Sequence, residues 1–156
     1  MDVSPITSQL YVAAQLRAED LDAVLQLDPG LIISMILERR PSPALSAAGL
    51  SVLWLRTVDF PLIPIPLRTL KRGVEAALPL IHKGGRVLVF CKGGRHRSVA
   101  MACCILIGMG YRSGEAMELV DRQRVAADPR ARHIRRQVER FEVYWGRSRG
   151  QGLSSP

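Results

Sequence analysis

No apolar run in this sequence is long enough to cross a bilayer. The longest, Val99 to Ile107, covers nine residues, where a membrane helix needs about 20. The opening Met1-Asp2-Val3-Ser4-Pro5 has no basic stretch leading into an apolar one, so a signal peptide is not expected. Cysteine is scarce. Three residues, two of them adjacent at Cys103-Cys104, give neither a disulfide framework nor a metal-ligand spacing. These absences lead to the expectation of a cytoplasmic protein in a reducing compartment, with no metal and no cofactor. Aromatics are also few, with three Phe, three Tyr and two Trp. They do not interleave with basic residues as stacking platforms for RNA would, so nucleic acid is not an expected partner.

The sequence does have enough apolar residues for one core. At 156 residues and 47% hydrophobic, a single folded domain is expected rather than a disordered chain. Five prolines between Pro41 and Pro66 predict long, constrained loops there. The net charge of +8 favours anionic partners without choosing among them. Much of the excess is arginine in the last third, including Arg122, Arg124, Arg132, Arg136 and Arg140, and reads as a solvated helix face.

Four apolar runs predict strands at Leu10–Ala13, Leu31–Leu37, Ser51–Arg56 and Arg86–Phe90. The last is continuous rather than alternating, the pattern of a central strand covered on both faces. Helices are predicted between and after them. Asp20 stands as a cap for Leu21–Leu27, and Leu67, Leu70, Val74, Leu78 and Ile81 recur on one helical face. Ser98 to Met109 reads as a buried helix, and Ser113 as the cap of a helix running to about Arg124. Asp128-Pro129 should open a last helix with the stripe Ile134, Val138, Phe141 and Trp145. The expected fold is a single α/β domain over 1–147, followed by a disordered tail over 148–156. Its core is a central, mainly parallel sheet of four or five strands with helices on both faces. In such sheets ligands bind beyond the carboxyl ends of the strands.

At that edge the chain reads Phe90-Cys91-Lys92-Gly93-Gly94-Arg95-His96-Arg97-Ser98. Gly93 and Gly94 permit unusual dihedrals and close approach of the backbone to a ligand. The helix that follows supplies unpaired N–H groups and a positive dipole end, which together make an anion nest. The same field favours the thiolate of a cysteine, its nucleophilic form. Arg97 can grip two phosphoryl oxygens with its planar fork, which a lysine cannot do. Ser98 can donate its hydroxyl to the sulfur when the thiolate must leave. Asp59, directly beyond the strand through Trp54, emerges at the same edge and can protonate a leaving oxygen and then accept a proton from water.

Cys91, five residues, then Arg97-Ser98, with Gly94 third after the cysteine, resembles the Cys-x-x-Gly-x-x-Arg-Ser/Thr signature of the protein tyrosine phosphatase superfamily. The short length is similar to its compact dual-specificity group, and the resemblance covers nearly the whole chain. Leu10-Tyr11-Val12-Ala13, Gly49-Leu50, and Gly114-Glu115-Ala116 followed by Arg122 also resemble family features. The thirty-two residues from Asp59 to Cys91 resemble the family's spacing from acid to nucleophile. One departure is Phe90, where the family carries histidine. The resemblance implies a phosphatase working through a phosphocysteine and acting on a phosphorylated protein. A small phosphorylated polyanion is the alternative substrate. Lys92 and Arg95 favour it, because lipid- and inositol-directed members resemble this loop at those positions. Lys92, Gly93, Gly94, Arg95 and His96 are then candidate substrate-binding residues. A non-catalytic phosphate-binding module is a further alternative.

Overall fold

The computed structural model describes residues 1–153. Five strands, β1 (Val3–Pro5), β2 (Leu10–Ala13), β3 (Leu31–Ile36), β4 (Val52–Thr57) and β5 (Val87–Phe90), form one sheet in the order β1-β2-β5-β3-β4. Every pairing is parallel except β1 with β2. The central place falls to β5, the continuous apolar run, whose residues are all buried. β1 has no counterpart among the expected strands, because three residues ending in proline carry little signal. At the sheet's edge the missing N–H of Pro5 is tolerated.

Among the described residues six α-helices accompany the sheet: α1 (Leu21–Leu27), α2 (Pro43–Ala47), α3 (Leu67–His82), α4 (Arg97–Gly108), α5 (Ser113–Gln123) and α6 (Arg132–Leu153). The face predicted for α3 is the buried one, through Leu70, Val74, Ala77 and Ile81. α4 is buried continuously from Arg97 to Ile107. It packs against β2, β5 and β3 on one side and against α3, α5 and α6 on the other, which explains an apolar composition almost all round. α2 lies within the segment expected to be loop, and Pro43 occupies its first position, where a missing N–H costs nothing.

Three expected caps do other work. Asp20 precedes α1, but its carboxylate accepts the N–H of Arg17 at 2.8 Å and meets the terminal ammonium of Met1 at 3.3 Å. Ser113 is the first residue of α5 rather than its cap, and its N–H and hydroxyl both donate to Glu142 on α6. Asp128 stands four residues before α6, in a turn where its carbonyl accepts the N–H of Ala131 at 3.3 Å. Its side chain faces the loop after β5 instead. α6 continues past Arg147, where the expected domain ended, to Leu153. Residues 154–156 of the expected tail lie outside the described residues.

The register brings four chain ends to one edge. Ala13 and Ser34 flank Phe90, and Ile36 pairs with Thr57 after an irregularity in β3. The loops that follow β2, β3, β4 and β5 therefore leave the sheet together. The chain crosses over β5 between β2 and β3, the topology in which ligands bind at the tip of the central strand.

Candidate active site

Cys91 is the first residue past β5 and is buried, at 3% exposure. Its Sγ lies 3.1 Å from the Ser98 hydroxyl in the first turn of α4. Three carbonyls of the loop between them are tied to neighbouring segments. The carbonyl of Lys92 accepts the N–H of Gln15, that of Gly94 accepts Nε of Arg124 at 2.7 Å, and that of Arg95 accepts the N–H of Asp128. The loop's own N–H groups from Gly93 to Ser98 have no acceptor among the described residues. Carbonyls tied back and N–H groups left free make the concave face a donor surface, which is what an oxyanion requires.

Gly94 is the residue that permits this shape. Its φ is +61°, and a Cβ there would stand 2.8 Å from the carbonyl carbon and oxygen of Ala13. Gly93 is not in the left-handed region, and a Cβ on it would meet nothing closer than 3.9 Å. Of the two glycines expected to shape the loop, only Gly94 is required by its geometry.

Arg97 is 2% exposed and oriented by three acceptors. One terminal nitrogen donates to the carbonyl of Thr57 at 2.8 Å, to Glu38 Oε2 at 3.0 Å and to the carbonyl of Met35 at 3.3 Å. Its Nε is buried with no partner. A buried guanidinium nitrogen left unpaired is unfavourable by about 1–3 kcal/mol or more, a deficit an incoming oxyanion would remove. The Glu38 carboxyl is held below the ordinary range, first by a hydrogen bond from its own backbone amide and then by Arg97.

Asp59 follows β4, and its loop is pinned to α6 by Gln137. That side chain accepts the N–H of Ile65 at 2.9 Å and donates to its carbonyl at 2.6 Å. The Asp59 carboxylate reaches His96 Nδ1 at 3.4 Å and His133 Nε2 at 3.9 Å. Asp59 and Arg97 line one depression of about 750 Å³, together with apolar Phe60, Leu62 and Ile65 and basic Arg132, Arg136 and Arg140. Lys92 is exposed. Arg95 is 63% exposed and stands 3.6 Å from Asp128, and His96 sits between Asp59 and Asp128. Cys103 and Cys104 are fully buried in α4, and burial pushes both thiols far above their usual value. They are core residues, as their place in an apolar helix suggested.

Several residues of this site were not singled out from sequence. Glu38 follows a strand of the parallel sheet, and that placement could have flagged it. Arg124, one of the arginines whose sequence pattern reads as a solvated face, is 1% exposed and joins the Gly94 carbonyl to Asp2 and Ser4 at the start of the chain. His133 carries no local signal at all. The sequence showed no ligand spacing, but the fold gathers Asp59, His96 and His133 into a potential ligand cluster.

No protein-family model matches the sequence, and no curated protein matches it significantly. The fold does match solved structures. Human DUSP28 superposes with a TM-score of 0.81 at 22% identity, covering 94% of this chain and 96% of the other. PTPMT1 in complex with PI(5)P gives 0.80 at 26% identity, with 94% and 98% covered. A mouse putative dual specificity phosphatase complexed with zinc tungstate gives 0.82 at 21% identity, with 94% and 89% covered. The chain has the fold of the compact dual-specificity phosphatases of the protein tyrosine phosphatase superfamily.

Proposed function

We propose that this chain is a cysteine-dependent phosphomonoester hydrolase that acts on phosphotyrosine, and with dual specificity on phosphoserine and phosphothreonine, in proteins. The observation that carries the reading is the convergence at one sheet edge of a cysteine, a loop of free N–H groups and an arginine with an unpaired buried Nε. Cys91 Sγ attacks phosphorus while Arg97 and the loop N–H groups hold the three non-bridging oxygens. The bond from phosphorus to the ester oxygen breaks, and Asp59 gives that oxygen its proton. Water then attacks the phosphocysteine, Asp59 takes the water's proton, and the thiolate leaves toward the Ser98 hydroxyl. Inorganic phosphate is the second product. A non-catalytic phosphate-binding module is less well supported, because it would need neither Ser98 beside the sulfur nor a carboxylate in the depression that Arg97 lines.

Asp59→Asn should lower kcat by roughly 10²–10⁴-fold for phosphotyrosine peptides, where the leaving oxygen needs a proton. The loss should shrink for an activated aryl phosphate. Steady-state kinetics on both substrates check this; equal losses would make Asp59 a structural residue.

A second reading, a phosphoinositide or phospholipid headgroup as substrate, has its own support. Lys92 is exposed beside the cup, three arginines of α6 line the adjoining depression, and its other wall is apolar. PTPMT1, whose solved complex holds PI(5)P, shares the fold. Release of phosphate from phosphotyrosine, phosphoserine and phosphothreonine peptides and from phosphoinositides separates the two readings. In the same panel, Lys92→Ala with Arg95→Ala should weaken use of multiply charged substrates about tenfold more than use of an aryl phosphate. That gap should narrow as salt rises. A uniform loss across substrates would assign both cations to general attraction and leave the protein-phosphatase reading standing alone.

A further inference from the structure

Asp59, His96 and His133 come from three distant stretches of chain, yet their ligating atoms all lie within 4.8 Å of one another. Asp59 arrives on the loop after β4, His96 on the loop after β5, and His133 in the first turn of α6. We propose that these three side chains form a zinc site, and that zinc bound there withdraws Asp59 from proton transfer and so switches hydrolysis off. The second half of the proposal rests on the reading of Asp59 as the acid.

Two imidazoles and a carboxylate are a donor set that Zn²⁺ takes, with a fourth position left for water. Bonds of about 2.0–2.2 Å place neighbouring donors of a tetrahedron about 3.3–3.6 Å apart. The distance from Asp59 Oδ2 to His96 Nδ1 is 3.4 Å, and from Asp59 Oδ1 to His133 Nε2 it is 3.9 Å. The two oxygens of Asp59 each face one imidazole, and with all ligating atoms within 4.8 Å of one another the three side chains must draw together to share one ion. His133 Nε2 is itself buried without a hydrogen-bond partner, so metal binding would satisfy an atom the protein leaves unsatisfied.

The surroundings of His96 add an independent feature. While Nδ1 faces Asp59, the opposite nitrogen Nε2 faces Asp128 Oδ2 at 3.8 Å. A carboxylate behind a metal-bound imidazole fixes the ring and raises its basicity. Asp128 thus stands where a supporting carboxylate belongs, and it also offsets Arg95, 3.6 Å away. Arg97, Arg132, Arg136 and Arg140 line the adjoining depression and oppose a dication, and the carboxylates of Asp59 and Asp128 act against that field. Magnesium and calcium prefer oxygen ligands and suit this set poorly. Binding involves no redox change. Zinc displaces whatever protons the donors carry, and the Asp59 oxygen that would protonate a leaving group is then bonded to the metal.

Isothermal titration of the full chain with zinc chloride, in a non-chelating buffer, tests the site apart from catalysis. The expected result is one site retained in Cys91→Ser, weakened about 100-fold or more in His133→Ala and about tenfold in Asp128→Asn. His133→Gln serves if the alanine variant unfolds, with circular dichroism confirming the fold of each. Zinc should also inhibit turnover of the wild type reversibly on chelation, with magnesium without effect and each variant compared with its own zinc-free rate. Loss of binding in Cys91→Ser with retention in His133→Ala would move the metal to the thiolate and overturn the site. Binding at the histidines with unchanged turnover would overturn the switch. If the chain hydrolyses no phosphoester, the titration still decides the site, so failure of the phosphatase reading and failure of the metal site are distinguishable.

Discussion

Replacing Cys91 with serine should reduce phosphate release by roughly 10⁴–10⁶-fold, the scale on which loss of a nucleophile registers. A serine hydroxyl in the same place is barely ionised at neutral pH, and among the described residues no base stands within hydrogen-bond reach of the Cys91 sulfur. Ser98 is only a hydroxyl at 3.1 Å, and Asp59 stands with His96 and His133 instead. The change is a single atom at a residue 3% exposed, so the melting temperature should move little. Phosphate affinity should persist, because the loop N–H groups and Arg97 are untouched. Assay of the purified variant on an aryl phosphate, with phosphate binding measured alongside, checks both halves. A rate within tenfold of the wild type would place the nucleophile elsewhere.

Arg97→Lys should lower kcat/KM by roughly 10³–10⁵-fold, comparable to losing an arginine that stabilises a transferring phosphoryl group. The charge is retained but the geometry is not. One terminal nitrogen of Arg97 is committed to Thr57, Met35 and Glu38, while its Nε remains for the substrate. A single ammonium cannot be anchored behind the cup and grip two oxygens in front of it. Glu38→Gln should cost much less, about tenfold, because two backbone carbonyls still orient the guanidinium. Kinetics of the pair of variants separate the clamp from its support. Equal losses would mean that the Glu38 contact, and not the two carbonyls, holds Arg97 in place.

The parts of this molecule legible in sequence are those encoded by short-range pattern. β2, β5 and α4 carry continuous apolar runs, and α3 carries a repeat at three- and four-residue intervals. Cys91, Gly94, Arg97 and Ser98 lie within eight residues, between a strand and a helix, so topology alone sends them to one edge. Asp59 was accessible for the same reason, as the residue just past a parallel strand. The rest depends on contacts between distant segments. Arg124 and Arg122 are both arginines near the end of one helix, and only tertiary packing makes one buried and the other exposed. Asp128 before a proline has the pattern of a helix cap. Its pull toward Arg95 and His96 comes from a loop more than thirty residues earlier. His133 meets Asp59 across seventy-four residues, a separation over which no periodicity speaks.

On the proposed mechanism the phosphoryl group passes through the sulfur of Cys91. Asp59→Asn gives the most direct test, because an activated aryl phosphate can still transfer its phosphoryl group while hydrolysis of the intermediate lacks its base. The variant should be mixed with that substrate, quenched in acid within milliseconds to seconds, and digested for mass spectrometry. A phosphoryl group on the peptide carrying Cys91, rising to a plateau and absent from Cys91→Ser, is the predicted result. Steady phosphate release with no labelled Cys91, or a label on His96 or His133 instead, would contradict the account.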